Sequence, residues 1–259
     1  MNSDIGWSGL GISAALVAIA LGISAWQHLG VERTLLWSSL RAAVQLVLVG
    51  VALHFVLAAH RSIGWSWLWL AAMVGFASLT VWLRARDVPG LLPLALFAFT
   101  VSLAVTLGVL LGLQVFPTDA RTLVPLSGLI VGNSLAATVL VGRRVYEELR
   151  DKRGEVEARL ALGQSARDAA QPYVRSAIRS ALIPQIETTK AVGIIFLPGA
   201  MTGLILAGVD PLNAVRVQIA VMYVVLASVA TTTSIVGLGV ARRLFTSDHR
   251  VVRLTRKAE

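Results

Sequence analysis

The residues able to do chemistry in this chain stand inside long apolar runs or at their ends. Arg41 and Gln45 are one helical turn apart in the run after Leu35, so they share one face of a predicted helix. A charge at membrane depth is costly, and such an arginine is a candidate for a transport path or an interhelical hydrogen bond. The alternative is that Arg41, near the end of its run, extends its guanidinium to the lipid headgroups.

A second charged pair, Glu187 and Lys190, precedes a broken apolar segment. A carboxylate there could bind a cation, because acidic residues inside membranes mark ion pathways. The alternative is a local i, i+3 ion pair, which contributes only a few tenths of a kcal/mol to helix stability.

The break itself is formed by Pro198 and Gly199, with Gly203 one turn later. Proline removes a helical hydrogen bond, and in lipid the freed groups must be satisfied by protein or by a water-filled path. Met201 and Thr202 follow the break and could line a cavity, although ordinary helix packing accounts for them equally well.

Small and polar residues also interrupt the fifth and the last apolar runs. Gly128 and Gly132 have the spacing that brings two helices together, and Asn133 and Ser134 follow with hydrogen-bonding groups. The late run TTTS at 231–234 can bond to its own helix backbone, so a functional role is not required. The candidate substrate path comprises Arg41, Gln45, Asn133, Glu187, Lys190, Met201, Thr202 and Gln218.

Signals for catalysis or for a resident metal are missing from the sequence. The chain has no cysteine, and its four histidines, at 28, 54, 60 and 249, lack metal-ligand spacing. The segment GLIVGNS at 128–134 lacks the spacing and the lysine of a phosphate loop. We expect no enzyme activity, no bound cofactor and no ATP site in this chain.

Composition indicates an all-α polytopic membrane protein. The mean hydropathy is +0.75, and 56% of the residues are hydrophobic, which excludes a soluble globular or a disordered chain. The net charge of +9 lies in turns and at the C-terminus, so membrane topology explains it better than nucleic acid does. Seven apolar runs are candidate spans: 7–26, 35–58, 65–83, 91–116, 123–141, 192–207 and 214–240.

The distribution of Lys and Arg predicts the orientation. With the C-terminus inside, nineteen of these residues fall in the cytoplasm and two, Arg61 and Arg121, fall outside. This favours an outside N-terminus and a multi-pass protein of the cytoplasmic membrane. Residues 1–259 are predicted to form one permease domain, into which a cytoplasmic segment, 142–189, is inserted between spans five and six.

That cytoplasmic segment has the pattern of helices separated by turns. It begins with helix formers, so the fifth helix is expected to continue out of the membrane, with an interruption at Gly154 and a C-cap at Gly163. Ser165 and Asp168 match a capping box that opens the next helix. That helix is basic and amphipathic, with Arg175 opposite its apolar stripe, and is expected to lie on the membrane surface or against a partner.

Several motifs together resemble one known family. They are WSSLRAAVQLVLVG (37–50), GLIVGNS (128–134), EARLALGQS (157–165) and RSALIPQIETTKAVGIIFLPGAMTGLILAGVDPLNAVRVQ (179–218). The chain resembles FetB-type iron-export ABC permeases, a family that includes plant aluminium-tolerance permeases. The resemblance covers nearly the whole chain and implies a permease subunit that exports iron or a related metal.

The resemblance also implies partners. A separate ABC ATPase subunit would bind ATP and Mg, and two permeases would assemble with two ATPases. Glu157 and Ala158 followed by Gly163 resemble the ATPase-docking motif of ABC importers, although Ile183 and Pro184, which would close it, come later than in those importers. The coupling segment is assigned to 155–167, with Glu157, Ala158, Arg159, Gly163, Ser165 and Arg167 as candidate contacts.

Other functions stay open from the residues alone. Oxygen ligands from Glu187, Gln45, Asn133 and Thr202 would suit a hard or borderline cation. The resemblance to the plant relatives implies an alternative cargo, an anionic metabolite such as a nucleotide sugar, whose phosphates Arg41 and Lys190 would suit. A membrane scaffold without transport is another, and a proton-driven transporter is disfavoured because no deep acidic residue or inverted repeat is visible.

Overall fold

The computed structural model describes residues 7–56 and 63–246 of the chain. Two compact units divide it, Met1–Arg61 and Ser62–Glu259. Within the described residues the regular elements are α-helices, apart from one isolated bridge between Val192 and Phe196. The predicted all-α fold is confirmed, whereas a single permease domain over 1–259 stays a prediction.

The first unit is a helical hairpin. It contains α1, Trp7–Trp26, and α2, Glu32–Val56, which pack on each other. Ser24 is buried and donates a hydrogen bond of 2.7 Å to Glu32, which ties the end of one helix to the start of the next.

The second unit is a helical bundle into which a helix-turn-helix is inserted. Its helices are α3 (Gly64–Arg84), α4 (Leu91–Gly112), α5 (Ala120–Asp151), α6 (Arg153–Ala161), α7 (Ala166–Ala191), α8 (Gly199–Leu206) and α9 (Pro211–Arg243). The last of these is central, because it packs on α5, α4, α7 and α8. Asp119 and Asp210 cap the starts of α5 and α9 by accepting backbone N–H hydrogen bonds.

Small residues allow α9 to approach its neighbours closely. A Cβ added to Gly237 would lie 2.7 Å from Ile178 of α7, and one added to Gly239 would overlap Leu94 of α4. In α5, a Cβ at Gly142 would lie 3.3 Å from Leu91. Helices in lipid associate largely through such close van der Waals packing, since lipid is as apolar as the helix surface.

Buried hydroxyl groups line the contact between α5 and α9. The hydroxyl oxygens of Ser134 and Ser228 lie 3.1 Å apart, and both residues are fully buried. Thr231, Thr232 and Thr233 donate to carbonyl oxygens one turn earlier in α9. The three threonines of the 231–234 run therefore satisfy their hydroxyls within the helix, which agrees with a packing role for them.

Five helices are long and apolar enough to cross a membrane: Glu32–His54, Gly64–Arg84, Leu91–Gly112, Ala120–Asp151 and Pro211–Arg243. They correspond to predicted spans two to five and seven. Ala14–Trp26, within α1, is a shorter apolar helix. The number of crossings and the orientation stay predictions, and residues 57–58 of span two and the basic C-terminus after Thr246 lie outside the described residues.

The bounds predicted for span six are wrong, and its break is confirmed only before Gly199, since Gly203 lies inside α8. Residues 192–207 do not form one helix: Gly193, with φ +84°, donates from its N–H to Phe196 and closes a turn, and only Gly199–Leu206 is helical. Eight residues of helix extend about 12 Å, too little for a hydrocarbon core of about 30 Å. The segment is thus split by the turn and not merely kinked.

Helix α7 supplies the rest of this segment. Ile178 lies beside Gly237 and Val141, close to the ends of the apolar parts of α9 and α5. From Ile178 to Ala191 the helix continues for about 20 Å along its axis. Helix α7 therefore leads directly into the turn that precedes α8, and the charged residues in its second half keep it out of a span predicted from hydropathy.

Gly128 and Gly132, which have the GxxxG spacing in α5, differ in their surroundings. A Cβ at Gly128 would lie 3.3 Å from the methyl group of Met73 in α3, so the expected close helix contact is confirmed there. Gly132 has no neighbour within 4 Å of an added Cβ, and the same prediction is wrong for it among the described residues.

We predict that Gly237→Ala lowers the thermal midpoint of the purified protein, because its methyl group must displace Ile178. Overpacking of this kind costs about 1 to 3 kcal/mol of unfolding free energy. Ile178→Ala in the same chain should restore part of the loss, as measured by differential scanning fluorimetry. Gly132→Ala is the control, since its methyl group enters open space, and an equal loss there would contradict the packing account.

Candidate coupling segment and substrate path

The segment predicted to be cytoplasmic, 142–189, contains a helix-turn-helix formed by α6 and the start of α7, which follows the end of α5. The 32 residues of α5 extend about 48 Å, beyond the thickness of a hydrocarbon core, as expected from its helix formers. The interruption predicted at Gly154 is wrong: it falls at Lys152, and Gly154 lies inside α6. Lys152 pairs with Glu155 at 2.8 Å across this break, and an acidic first turn favours a helix start there.

The turn between α6 and α7 has the predicted caps. Gly163 follows the C-cap with φ +85°, a conformation that suits glycine, and its N–H donates to Leu160. Ser165 accepts from the N–H of Asp168 at 3.2 Å and donates its hydroxyl to the Asp168 carboxylate at 2.6 Å. The turn is therefore fixed on both sides by backbone and side-chain hydrogen bonds.

A polar cluster fastens α6 to α7. The Tyr173 hydroxyl donates to Glu155 at 2.8 Å, and the guanidinium carbon of Arg159 lies 5.6 Å from the centre of the Tyr173 ring. Beneath this cluster Val156 and Ala169 are fully buried. Because hydrogen bonds and apolar contacts join the two helices, we expect the pair to move as a unit.

The same cluster shifts the pKa of its members. Hydrogen bonds from Lys152 and then Tyr173 lower the pKa of the Glu155 carboxyl. The contact with Glu155, and then burial, raises the pKa of the Tyr173 phenol. The carboxylate of Glu155 therefore stabilises the helix pair above the ordinary carboxyl pKa, and this contribution is lost as pH falls through the lowered value.

The apolar stripe expected on α7 is confirmed. Tyr173, Val174, Ala177 and Ala181 are buried, whereas Arg175 and the other polar residues of the opposite face are exposed. The buried face packs on α5 and α9 of the same chain, so the expectation that this stripe lies on the membrane surface or against a partner is wrong. Arg175 and Arg179 lie beside this buried face and are exposed.

The predicted coupling residues lie on this helix pair. Glu157 pairs with Arg153 at 2.7 Å, and Ala158 is exposed on the same helix. Arg159 stacks on Tyr173, Gly163 and Ser165 form the turn, and Arg167 is exposed at the start of α7. The tip carries an apolar residue that the sequence analysis did not single out: Leu162 is 83% exposed. These residues are proposed to contact a separate ATPase subunit, and their coupling roles stay predictions.

Glu187 and Lys190 form the local ion pair given as their alternative reading. Their side chains meet at 2.8 Å and are more than half exposed. Two exposed charges at i, i+3 contribute little to stability. The pair lies in the last turns of α7, directly before the break.

Two other predicted path residues use their side chains in hydrogen bonds to the backbone four residues earlier. Asn133 donates to Leu129 at 2.8 Å on an exposed face, and Thr202 donates to Pro198 at 3.1 Å. Met201 is half-buried beside Thr202. Pro198 is the N-cap of α8 and Gly199 its first residue, while neither Gly199 nor Gly203 has a neighbour within 4 Å of an added Cβ.

Gln218 is the predicted path residue whose surroundings are unusual. It lies on the buried face of α9 with Ala214 and Val221 and is 5% exposed. Its Oε1 has no hydrogen-bond partner, a state shared among the described buried side chains only by the Ser66 hydroxyl in α3. Buried acceptors are rarely left unsatisfied, so this oxygen is a candidate ligand for cargo.

Arg41 and Gln45 belong to the first unit. Both lie on the exposed surface of α2, one turn apart, as the sequence predicts. Within the described ranges 7–56 and 63–246, no group of three His, Cys, Asp or Glu residues could hold a metal ion.

Comparisons with known proteins show similarity to one family of membrane proteins. The sequence model of the Uncharacterised protein family (UPF0014) matches residues 7–245. UPF0014 membrane protein STAR2 of Oryza sativa subsp. japonica is 38% identical over 223 residues, 86% of this chain and 78% of that protein. Protein ALUMINUM SENSITIVE 3 of Arabidopsis thaliana is 35% identical over 225 residues, 86% of this chain and 82% of that protein.

A bacterial relative covers more of the chain. The probable iron export permease protein FetB of Escherichia coli (strain K12) is 30% identical over 253 residues, 97% of each protein. No solved structure matches the chain. These similarities confirm the resemblance inferred from the sequence motifs.

We predict that Tyr173→Phe loosens α6, because the Tyr173–Glu155 hydrogen bond is lost. Hydrogen exchange should show backbone protection in α6 reduced roughly two- to tenfold at neutral pH, the usual effect of one hydrogen bond. Lowering the pH through the Glu155 titration should bring the wild-type protection close to that of the variant. Tyr223→Phe, at an exposed site on α9, is the control. Unchanged protection in Tyr173→Phe would show that the cluster does not hold α6.

Proposed function

The chain belongs to the uncharacterised protein family UPF0014, and we propose that it is the permease subunit of an ATP-driven transporter that exports iron or a related metal ion. It is a multi-pass helical membrane protein. Its similarity to a probable iron export permease over 97% of both chains supports this class of cargo. Two permease chains would assemble with two ATPase subunits.

The helix-turn-helix at the end of α5 is the observation that carries the proposal. It projects beyond the apolar part of the helix, and hydrogen bonds fasten it as a unit. Leu162 and the exposed Ala158 and Ala161 give its tip an apolar surface flanked by charge. A surface of this kind suits a groove on a partner subunit, where a small apolar anchor is surrounded by a polar rim.

The energy for transport would come from ATP hydrolysis by a partner subunit. The sequence contains no phosphate loop, so ATP and Mg would bind to the partner ATPase. Movement of the docked tip would pass directly into α7, because its first helical residue follows the turn. Helix α7 packs along α5 and α9 and ends at the turn before Pro198. The broken segment is thus the part of the bundle that the partner could move.

Cargo recognition would be weak and based on oxygen. Gln218 supplies a buried amide oxygen without a partner, and carbonyl oxygens suit hard or borderline cations. A transporter must release what it binds, so a strong cluster of cysteine or histidine ligands would be a disadvantage. We therefore assign Gln218 as the leading cargo contact among the predicted path residues.

Leu162→Asp should uncouple the permease from its ATPase. A charge at the tip would weaken the docked complex by roughly tenfold or more, as expected for an apolar anchor. The measurement is retention of the co-expressed ATP-hydrolysing subunit on the tagged permease. Leu212→Asp is the matched control, since Leu212 is 71% exposed at the start of α9. Equal retention in wild type and Leu162→Asp would contradict docking at this tip.

Gln218→Leu separates a role in transport from a role in folding. Leucine has a similar volume and removes an unsatisfied buried oxygen, so the thermal midpoint should stay the same or rise. The initial rate of ATP-driven iron(II) transport in proteoliposomes with both subunits should fall at least about tenfold, the effect of about 1.4 kcal/mol.

The control for this substitution is Gln27→Leu, at an exposed position after α1. An undiminished rate in Gln218→Leu would remove Gln218 from the path. A lower rate together with a lower thermal midpoint would assign it a structural role instead.

A further inference from the structure

A cavity of about 860 Å³ lies between α7 and the end of α9, apart from the substrate path described above. Ala166 and Thr246 line its opposite walls, and Ile178 contacts Gly237. Because Ala166 precedes Ile178 while Thr246 follows Gly237, the two helices run in opposite directions along the cavity. The cavity therefore has one end near the start of α7 and another deeper along the bundle.

The charge of the cavity is strongly one-sided. Its lining contains Arg167, Arg175 and Arg179 of α7 and Arg242 of α9, but no acidic residue. Across the described ranges 7–56 and 63–246, none of these four arginines forms an ion pair with a carboxylate. The adjacent Arg243 is different, since it donates to the carbonyl of Gly90 at 2.6 Å. Among the residues that the structure describes, no carboxylate therefore pairs with the guanidinium groups of the cavity.

Polarity changes along the cavity. Beyond Arg179 towards the C-terminal end of α7, the lining residues of that helix are Leu182 and Ile186. On the opposite wall, Leu238 lies next to Gly237, and Arg242 follows it one turn closer to the start of α7. One end of the cavity is therefore cationic and the other apolar.

We propose that this cavity binds an anionic phospholipid, with its phosphate at Arg175, Arg179 and Arg242 and one acyl chain along Leu182 and Ile186. Guanidinium groups bind phosphate through paired, charge-assisted hydrogen bonds. The apolar end accepts hydrocarbon, and the order of the two chemistries matches the order of headgroup and tail in a leaflet. The cationic end lies at the last turn of α9, where an apolar span gives way to basic residues.

Other occupants fit the charge less well. In a twofold dimer formed through this face, the same arginines would be brought towards each other, and like charges repel. The chain after Thr246, VVRLTRK at 251–257, is itself basic and would meet the same repulsion. An anionic lipid is complementary in charge and is present in the surrounding membrane.

The test is native mass spectrometry of the purified full chain, with phosphatidylglycerol or phosphatidylcholine of identical acyl chains added. We expect one tightly bound phosphatidylglycerol per chain, with an affinity about tenfold above that of phosphatidylcholine. The double variant Arg175→Gln, Arg179→Gln should reduce this preference to near unity. Arg33→Gln with Arg216→Gln removes the same charge at exposed sites outside the cavity and should leave the preference intact.

Two further arms identify the ligand and keep the test independent of the arginine variants. Soluble glycerol phosphate should fail to displace the bound lipid, because it lacks the acyl chain. Leu238→Trp, which retains every arginine, should also lower lipid binding, since the indole would occupy the apolar end. Displacement of the lipid by glycerol phosphate would identify the cavity as a site for a simple anion and would overturn the proposal.

The proposal is also overturned if wild type shows no preference for phosphatidylglycerol, or if the arginine variant retains it. Retained lipid together with a shift from dimer to monomer in that variant would identify the face as an interface between copies. None of these readouts depends on transport, so the result is independent of the proposed function.

Discussion

The close packing of α9 is the constraint on which the second unit depends. Lipid supplies no hydrophobic force between helices, so their association requires surfaces that meet without gaps. Gly237 and Gly239 let Ile178 and Leu94 approach the α9 backbone, and Ser228 meets Ser134 of α5 within the contact. A single helix thereby joins the membrane bundle to α7, which in turn continues from the cytoplasmic-type tip.

This arrangement gives a physical route between the tip and the break. The caps at Gly163 and Ser165 fix the direction in which α7 leaves the turn. The helix then continues to Ala191, shortly before the closed turn at Gly193, and Pro172 and Pro184 inside it each lack the N–H of one helical hydrogen bond. One helix therefore connects the proposed docking surface to the break before α8.

Much of this architecture could be predicted because local chemistry determines it. The capping residues Ser165 and Asp168, the stripe from Tyr173 to Ala181, and five of the apolar spans each depend on a pattern within a few residues. The bounds of span six could not be predicted correctly, since the helix that precedes the break carries Arg179, Glu187 and Lys190 and is invisible to a search for apolar runs. Pairing of Glu187 with Lys190 is local, but the contact of Ile178 with Gly237 joins residues far apart in sequence.

The candidate site shows the same division. Residue type alone placed Gln218 among the path candidates, but its unsatisfied oxygen is visible only once α9 is packed. Leu162 and the Tyr173–Glu155 contact were missed because exposure and cross-helix distance are not properties of a sequence pattern. The role of Arg41 stays a prediction, since it lies on the surface of the first unit.

The most direct test of the account is ATP-dependent uptake of radiolabelled iron(II) by inside-out vesicles that contain this chain and its ATPase subunit. We expect iron uptake that requires ATP and both subunits, and that exceeds the uptake of a labelled nucleotide sugar measured in parallel. Sugar uptake without iron, or no uptake of either while ATP hydrolysis proceeds, would contradict it.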